Sequence, residues 1–326
     1  MAINFWEAQK RARSHTTLYV TLFVILTLIV AAISEWAMRY FSDGQYDPQL
    51  PLLGLLYLSI TFLVAGWQYL LFKTNGGSYV AESLGAVRVD PSTASAREQQ
   101  LLNIVEEIAI ASSLPVPPVY ILPSKQINAF AAGLKPDDAA ITVTEGALKL
   151  LNRDELQGVI AHEFGHIYNG DMKISMRLAA MVMGFFFVLY FGMRILQFSG
   201  IRTRDEDRRG GNPVALAALI LMCAGAFTWL MGTILKCSVS REREYLADAC
   251  AVQFTRNPDG IAQALRKIAN TPISDMPKTG TAYSHLYFDD NSGFGALFAT
   301  HPPLEKRISV LEDRAYIPDE WHIPKT

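Results

Sequence analysis

Four long apolar stretches divide the chain. Leu18 to Ile33 is nearly free of charge and follows Lys10, Arg11 and Arg13. Leu50 to Phe72 holds no ionisable residue except tyrosines and is long enough to span a bilayer. Leu178 to Met193 is strongly apolar but bounded by Arg177 and Arg194, a marginal span, whereas its partner Val214 to Leu235 is longer and cleaner. Ala31-Ala32 has the look of a signal-peptide cleavage site, yet the first run is long for such a peptide and a second follows soon after. The pattern therefore predicts four transmembrane helices in two hairpins, with Trp36, Tyr40, Trp67 and Tyr69 near the ends of the first pair as interfacial aromatics. The basic N-terminal flank and Lys73 assign the outer ends of the first hairpin to the cytoplasm. The mixed-charge stretch Arg202 to Arg209 then faces away from it, against the positive-inside tendency.

Between the hairpins the period changes. Residues 73 to 95 carry the turn signals Asn75-Gly76-Gly77-Ser78 and Asp90-Pro91-Ser92 and read as a linker. Ala96 to Ser113 places Leu101, Leu102, Val105, Ile108 and Ala109 at helical spacing. Three strands follow at Val119 to Leu122, Ile127 to Ala131 and Ala140 to Thr144, the last two joined by a turn at Lys135 to Asp138. A second helix starts at Asn152, whose side chain can cap it with Glu155 at the third helical position, and runs through Leu156, Val159, Ile160, Ala161 and Phe164. Asn169-Gly170-Asp171 breaks or kinks it. Leu304 to Leu311 reads as a short helix, and Pro272 to Gly295 as a long loop over the cleft. The expected fold is mainly α with a small β-sheet (α+β). Its parts are a transmembrane hairpin over 1–72, a sheet and helix domain over 73–172, a second hairpin over 173–236 and a C-terminal part over 237–326.

Composition agrees. Half of the 326 residues are hydrophobic and 18% are charged, against about 25% in ordinary soluble domains. A net charge of −2 gives no sign of a nucleic-acid partner, and none is expected. Cys223, Cys237 and Cys250 have no C-x-x-C spacing and read as reduced thiols packed among apolar neighbours, not as a disulfide framework.

Chemistry concentrates in His162-Glu163-Phe164-Gly165-His166, which reads H-E-x-x-H. Positions i and i+4 of a helix share one face, so both imidazoles can reach one metal ion while Glu163 takes a proton from the water it activates. A catalytic zinc needs a third protein ligand, and an imidazole ligand is oriented through its other nitrogen. Ser240-Arg241-Glu242-Arg243-Glu244-Tyr245-Leu246-Ala247-Asp248 supplies candidates: Glu244 for the third ligand and Asp248, one turn on, for the orienting carboxylate. Two arms of about 30 residues, roughly 45 Å each if helical, return Glu244 to the level of His166. Arg241, Glu242 and Arg243 read as a solvated helix face. A third histidine at H-E-x-x-H-x-x-G-x-x-H spacing is absent, since Asn169 and Met172 stand at the relevant positions.

With these residues in order, the chain resembles the HtpX family of bacterial membrane zinc peptidases and, more distantly, the type I CaaX prenyl proteases. The likeness runs from about Pro118 to Leu311. Its further motifs are Asn128-Ala129-Phe130-Ala131-Ala132-Gly133 and Thr300-His301-Pro302-Pro303 with Arg307. The N-terminal part departs from the family by an extended basic segment before the first apolar run. The resemblance implies an integral membrane gluzincin with one Zn²⁺ on His162, His166 and Glu244, and Glu163 as general base. It also implies that Asn128, Ala129 and Phe130 lie on an edge strand that receives substrate. The active site would face the cytoplasm at the bacterial inner membrane. His301 becomes a candidate donor to the oxyanion, and Arg307 a support for that charge or for the loop. His285 reads as packing or surface contact, and His15 and His322 carry no chemistry. The expected activity is endopeptidase hydrolysis of membrane or misfolded proteins, with the bilayer as the other partner. The rival is a non-catalytic membrane chaperone or scaffold with a structural metal. Structural zinc takes four protein ligands, often cysteines, and no fourth ligand is evident here.

Overall fold

The computed structural model describes residues 5–200, 212–270 and 303–313. These fall into two compact units. One takes residues 71–176 and the described residues from Cys237 onward, with the start of the first helix up to Arg13; the other takes 14–70 and the described part of 177–236.

The second unit is helical. It holds the bulk of α1 (Phe5–Phe41), α2 (Leu52–Ser83), α6 (Asp171–Gly200) and α7 (Pro213–Thr255). Among the described residues, four helical segments are long and apolar enough to cross a membrane: Val20–Phe41, Leu52–Ser83, Asp171–Phe198 and Pro213–Leu235. Apolar matrix gives such helices no hydrophobic reason to associate, so close packing and buried polar pairs must hold them together. Both occur. A Cβ at Gly54 would meet the Ala31 carbonyl at 2.9 Å, and Tyr57 donates to Thr228 Oγ1 at 3.1 Å in the interior. Glu35 is buried. Its carboxylate caps the start of α2 by accepting from Leu53 N and Gly54 N at 3.0 and 3.2 Å, and it also accepts from Tyr46 Oη and Arg39 Nε.

The first unit is built on a four-stranded mixed sheet of order β1-β2-β4-β3. Its strands are β1 (Val87–Arg88), β2 (Val119–Leu122), β3 (Ala129–Ala132) and β4 (Ala140–Thr144). The first and last of the sequence-predicted strands fit, whereas β3 begins two residues later than expected. β2 and β4 run parallel, and β3 is antiparallel to β4 with Ala129 opposite Val143 and Ala131 opposite Ile141. β3 is therefore an edge. Thr144 N donates to the Asn128 carbonyl, which makes 128 and 144 a hydrogen-bonded pair. By the alternation of an antiparallel ladder, Ala129 and Ala131 then turn their backbone groups away from β4, toward the edge.

Helices cover the sheet. α3 (Ala96–Ser112) starts with a Ser95–Glu98 capping box and stops at Ser113 in the left-handed region, φ 57°. The short α4 spans Glu145–Leu150 and is capped by Thr144. α5 (Arg153–Asn169) opens with Asn152 Oδ1 accepting from Glu155 N at 2.9 Å and the Glu155 carboxylate accepting from Asn152 N at 2.7 Å. The same residues drew that helix from the sequence. The core joins Leu101, Ile104 and Ile108 of α3, Ile141 and Val143 of β4, and Val159, Ile160 and Phe164 of α5. Ile261, Leu265 and Ile268 of α8 (Pro258–Asn270) and Ile308 of α9 (Leu304–Leu311) complete it. Each such fully buried side chain contributes about 1.5–3 kcal/mol.

Residues 73–95 are corrected. They are not a linker throughout: α2 continues to Ser83 across a break at Gly76, φ 62°, and β1 follows. The Gly-Gly pair lets the helix pass against the sheet, because a Cβ at Gly76 would meet the Asp138 carbonyl at 2.8 Å. The stretches Arg202 to Arg209 and Pro272 to Gly295, with His285, His301 and His322, lie outside the described residues.

Candidate metal centre and active site

α5 fixes the local geometry of the H-E-x-x-H residues, and α7 brings the carboxylates to it. The two helices cross at Gly165, where an added Cβ would meet Ala247 Cα and Cys250 Cβ at 3.0 Å each. Gly165→Ala is therefore expected to destabilise the protein by about 1–3 kcal/mol through overpacking. Thermal unfolding of the metal-free protein checks this, and an unchanged midpoint would show that the crossing has slack.

His162 is fully buried, and His166 keeps 17% of its side chain exposed. Their Nε2 atoms are 3.2 Å apart and both face Glu244, with His162 Nε2 3.5 Å from Oε2 and His166 Nε2 3.6 Å from Oε1. One donor atom from each of the three residues lies within 4.8 Å of the others. The outer nitrogens are tied back. His162 Nδ1 is 2.9 Å from Asp248 Oδ1, and His166 Nδ1 is 3.0 Å from Asp171 Oδ2. A carboxylate only accepts, so each Nδ1 carries a proton, and in the neutral ring each Nε2 presents a lone pair.

An arginine stands behind each carboxylate. Arg307, wholly buried on α9, donates to both oxygens of Asp248 at 2.7 and 2.9 Å and places Nη1 3.1 Å from Glu244 Oε2. Arg243, one residue before Glu244 on α7, pairs with Asp171 Oδ1. Here the sequence reading is corrected: Arg243 is not on a solvated face but 6% exposed. Asp171 was read only as part of a helix break. The signal for it was present, since Gly170 at φ 72° ends α5 and Asp171 starts α6 immediately after the second histidine.

Electrostatics follow from this placement. Burial pulls the His162 pKa down, but the Asp248 and Glu244 carboxylates outweigh it and lift the group to about 9. His166 is raised in the same way, burial being overcome chiefly by Asp171. Burial alone would raise Asp248, yet the Arg307 guanidinium and His162 hold it at about 2. Glu163 moves up because burial dominates, although the histidines and a hydrogen bond from the Ala131 backbone oppose it. Four buried carboxylates (Glu163, Asp171, Glu244 and Asp248) thus face two buried arginines. With neutral imidazoles the cluster holds an excess of negative charge, which protons on the imidazoles offset in the metal-free protein and a bound cation would offset in their place. The nitrogen and oxygen donor set and this deficit both suit a divalent metal.

Of the other candidates, Ala129 and Phe130 lie on β3 and Asn128 immediately before it, paired through its backbone to Thr144. Ala131, on the same strand, is the residue that reaches Glu163. Cys250 is buried beside Asn169, while Cys223 is exposed, contrary to the packed thiol expected there.

An H-E-x-x-H helix whose imidazoles meet a third carboxylate donor, in a chain with four helices apt to cross a bilayer, is the plan of a multi-pass membrane metallopeptidase. The chain belongs to peptidase family M48, whose family profile matches residues 95–315. It is 36% identical over 313 residues to the Protease HtpX homolog of Caldanaerobacter subterraneus subsp. tengcongensis, covering 95% of this chain and 97% of that protein. With the Protease HtpX homolog of Lactobacillus helveticus it shares 33% identity over 312 residues, 93% of this chain and 97% of the relative. Among solved structures it is similar to S. mikatae Ste24p, at 16% identity and a TM-score of 0.48, over 95% of this chain and 67% of that one.

Proposed function

We propose that the chain is a zinc endopeptidase that hydrolyses peptide bonds of membrane or misfolded proteins. The observation that carries this reading is the convergence of His162 Nε2, His166 Nε2 and the Glu244 carboxylate, with Glu163 buried beside them. His162, His166 and Glu244 would hold one Zn²⁺, which when bound supplies Lewis acidity for a peptide carbonyl and for water. Glu163 accepts the proton of the attacking water at its carboxylate and returns it to the leaving amine. Its burial favours the protonated form and so brings its basicity closer to neutrality, where a shuttling group works best. Asp248 orients His162. Arg307 keeps Asp248 ionised and offsets the charge of Glu244. Asn128, Ala129 and Phe130 receive an extended substrate along the β3 edge, pairing it through main-chain groups. The outward turn of the Ala129 backbone supports that role. His301 donates to the oxyanion, a role supported by the family motif alone.

The bacterial inner membrane, with the active site toward the cytoplasm, is supported by the basic flank at Lys10, Arg11 and Arg13 and by Lys73. The test uses the purified full-length chain in detergent with casein as substrate. A chelator is expected to abolish cleavage and added Zn²⁺ to restore it. Zinc bound at one per chain with no cleavage in any detergent would instead favour a scaffold.

A further inference from the structure

The two imidazoles are held by parallel devices that differ in origin. His162 leans on Asp248, from the same helix as Glu244. His166 leans on Asp171, the first residue of α6, and Asp171 in turn leans on Arg243. The two oxygens of Asp171 are divided between these neighbours: Oδ1 meets Arg243 Nη1 and Oδ2 meets His166 Nδ1. Both Asp171 and Arg243 are buried.

We infer that Asp171, aimed by Arg243, is the positioning residue for His166, fixing the proton on Nδ1 and leaving the Nε2 lone pair toward Glu244. The inference rests on the metal reading proposed above, but the tautomer it specifies can be read without the metal once the imidazole is neutral. Its chemistry makes an isosteric change informative. Arginine can only donate, so in Asp171→Asn the amide oxygen stays on Arg243. The amide NH₂ is then left facing His166 Nδ1. That nitrogen must accept, the proton moves to Nε2, and the atom that should offer its lone pair is blocked. The same inversion accounts for the damage done by an Asp-to-Asn change behind a catalytic histidine elsewhere. Removing Arg243 as well frees the amide to rotate and present its oxygen to Nδ1–H.

The test uses the metal-free full-length protein in detergent, at a pH alkaline enough that His166 is a neutral imidazole. NMR of isotopically labelled histidine reads the His166 tautomer, and competition with a chromophoric chelator reads Zn²⁺ affinity. In the wild type the proton is expected on Nδ1. In Asp171→Asn it is expected on Nε2, with Zn²⁺ affinity lower by on the order of 10- to 100-fold. Asp171→Asn with Arg243→Met is expected to recover the Nδ1 proton and part of the affinity. A merely structural role predicts no recovery from a second substitution. A folded Asp171→Asn that keeps the Nδ1 proton and wild-type affinity would overturn the assignment. If that variant does not fold, Arg243→Met alone decides: weaker Zn²⁺ binding supports the assignment and unchanged binding overturns it. A wild type that binds no zinc would defeat the metal reading while leaving the tautomer result to judge this one.

Discussion

Glu163→Gln is expected to lower the turnover of peptide hydrolysis by about 10²–10⁴, the usual contribution of a positioned proton-transfer group, while zinc content stays at the wild-type level. The two halves of that result have separate physical origins. The amide has the shape of the carboxylate and can still accept the hydrogen bond from the Ala131 backbone, so the fold around α5 is undisturbed. Glu163 is not among the three converging donors, so metal binding does not need it. What glutamine cannot do is take a proton. Casein cleavage measured beside metal analysis reads both halves at once, and full activity in the variant would remove Glu163 from the mechanism.

Arg307→Met is expected to destabilise the protein by about 3–5 kcal/mol, the cost of leaving a buried ion pair without one partner. Arg307 is wholly buried and its guanidinium touches both Asp248 and Glu244. Methionine matches much of its volume but leaves two buried carboxylates one helical turn apart without the intervening charge. Acid sensitivity should change with it. A carboxylate whose folded pKa is depressed contributes stability above its unfolded value, near 3.9, and loses it as pH falls through the folded value. Asp248 is held at about 2, burial notwithstanding, largely by Arg307. Without that charge its folded pKa rises, so acid unfolding of the metal-free variant should begin at higher pH than in the wild type. Denaturant and acid titrations followed by circular dichroism check both expectations. A variant as stable as the wild type would show that Arg307 does not hold Asp248 and Glu244 together.

Much of this was legible in residue order because its causes are local. The i, i+4 spacing of His162 and His166 puts both rings on one helix face whatever surrounds it. The Asn152–Glu155 capping box begins that helix from side chains three residues apart. Four apolar runs of spanning length mark membrane helices because backbone groups in a bilayer must be satisfied within the segment. Glu244 and Asp248 share a face for the same reason as the histidines.

Other features depended on what came to meet a residue from far along the chain. Gly76-Gly77 has the composition of a linker, yet α2 continues through it because the missing side chains let the helix pass the Asp138 carbonyl. Arg243 sits in an alternating Arg-Glu run that alone suits solvent. It is buried because Asp171, 72 residues earlier, occupies the space it points into. Arg307 was ambiguous for the same reason, its partner Asp248 lying 59 residues away.

The sequence by itself therefore determined the H-E-x-x-H helix, the carboxylate that approaches it, four helices apolar enough to span a bilayer and the family. Only the tertiary structure decided which charges stand behind His162, His166 and Glu244. A helix face can be read from its period, but whether a charge on it meets water or a buried counter-charge is set by packing from distant segments.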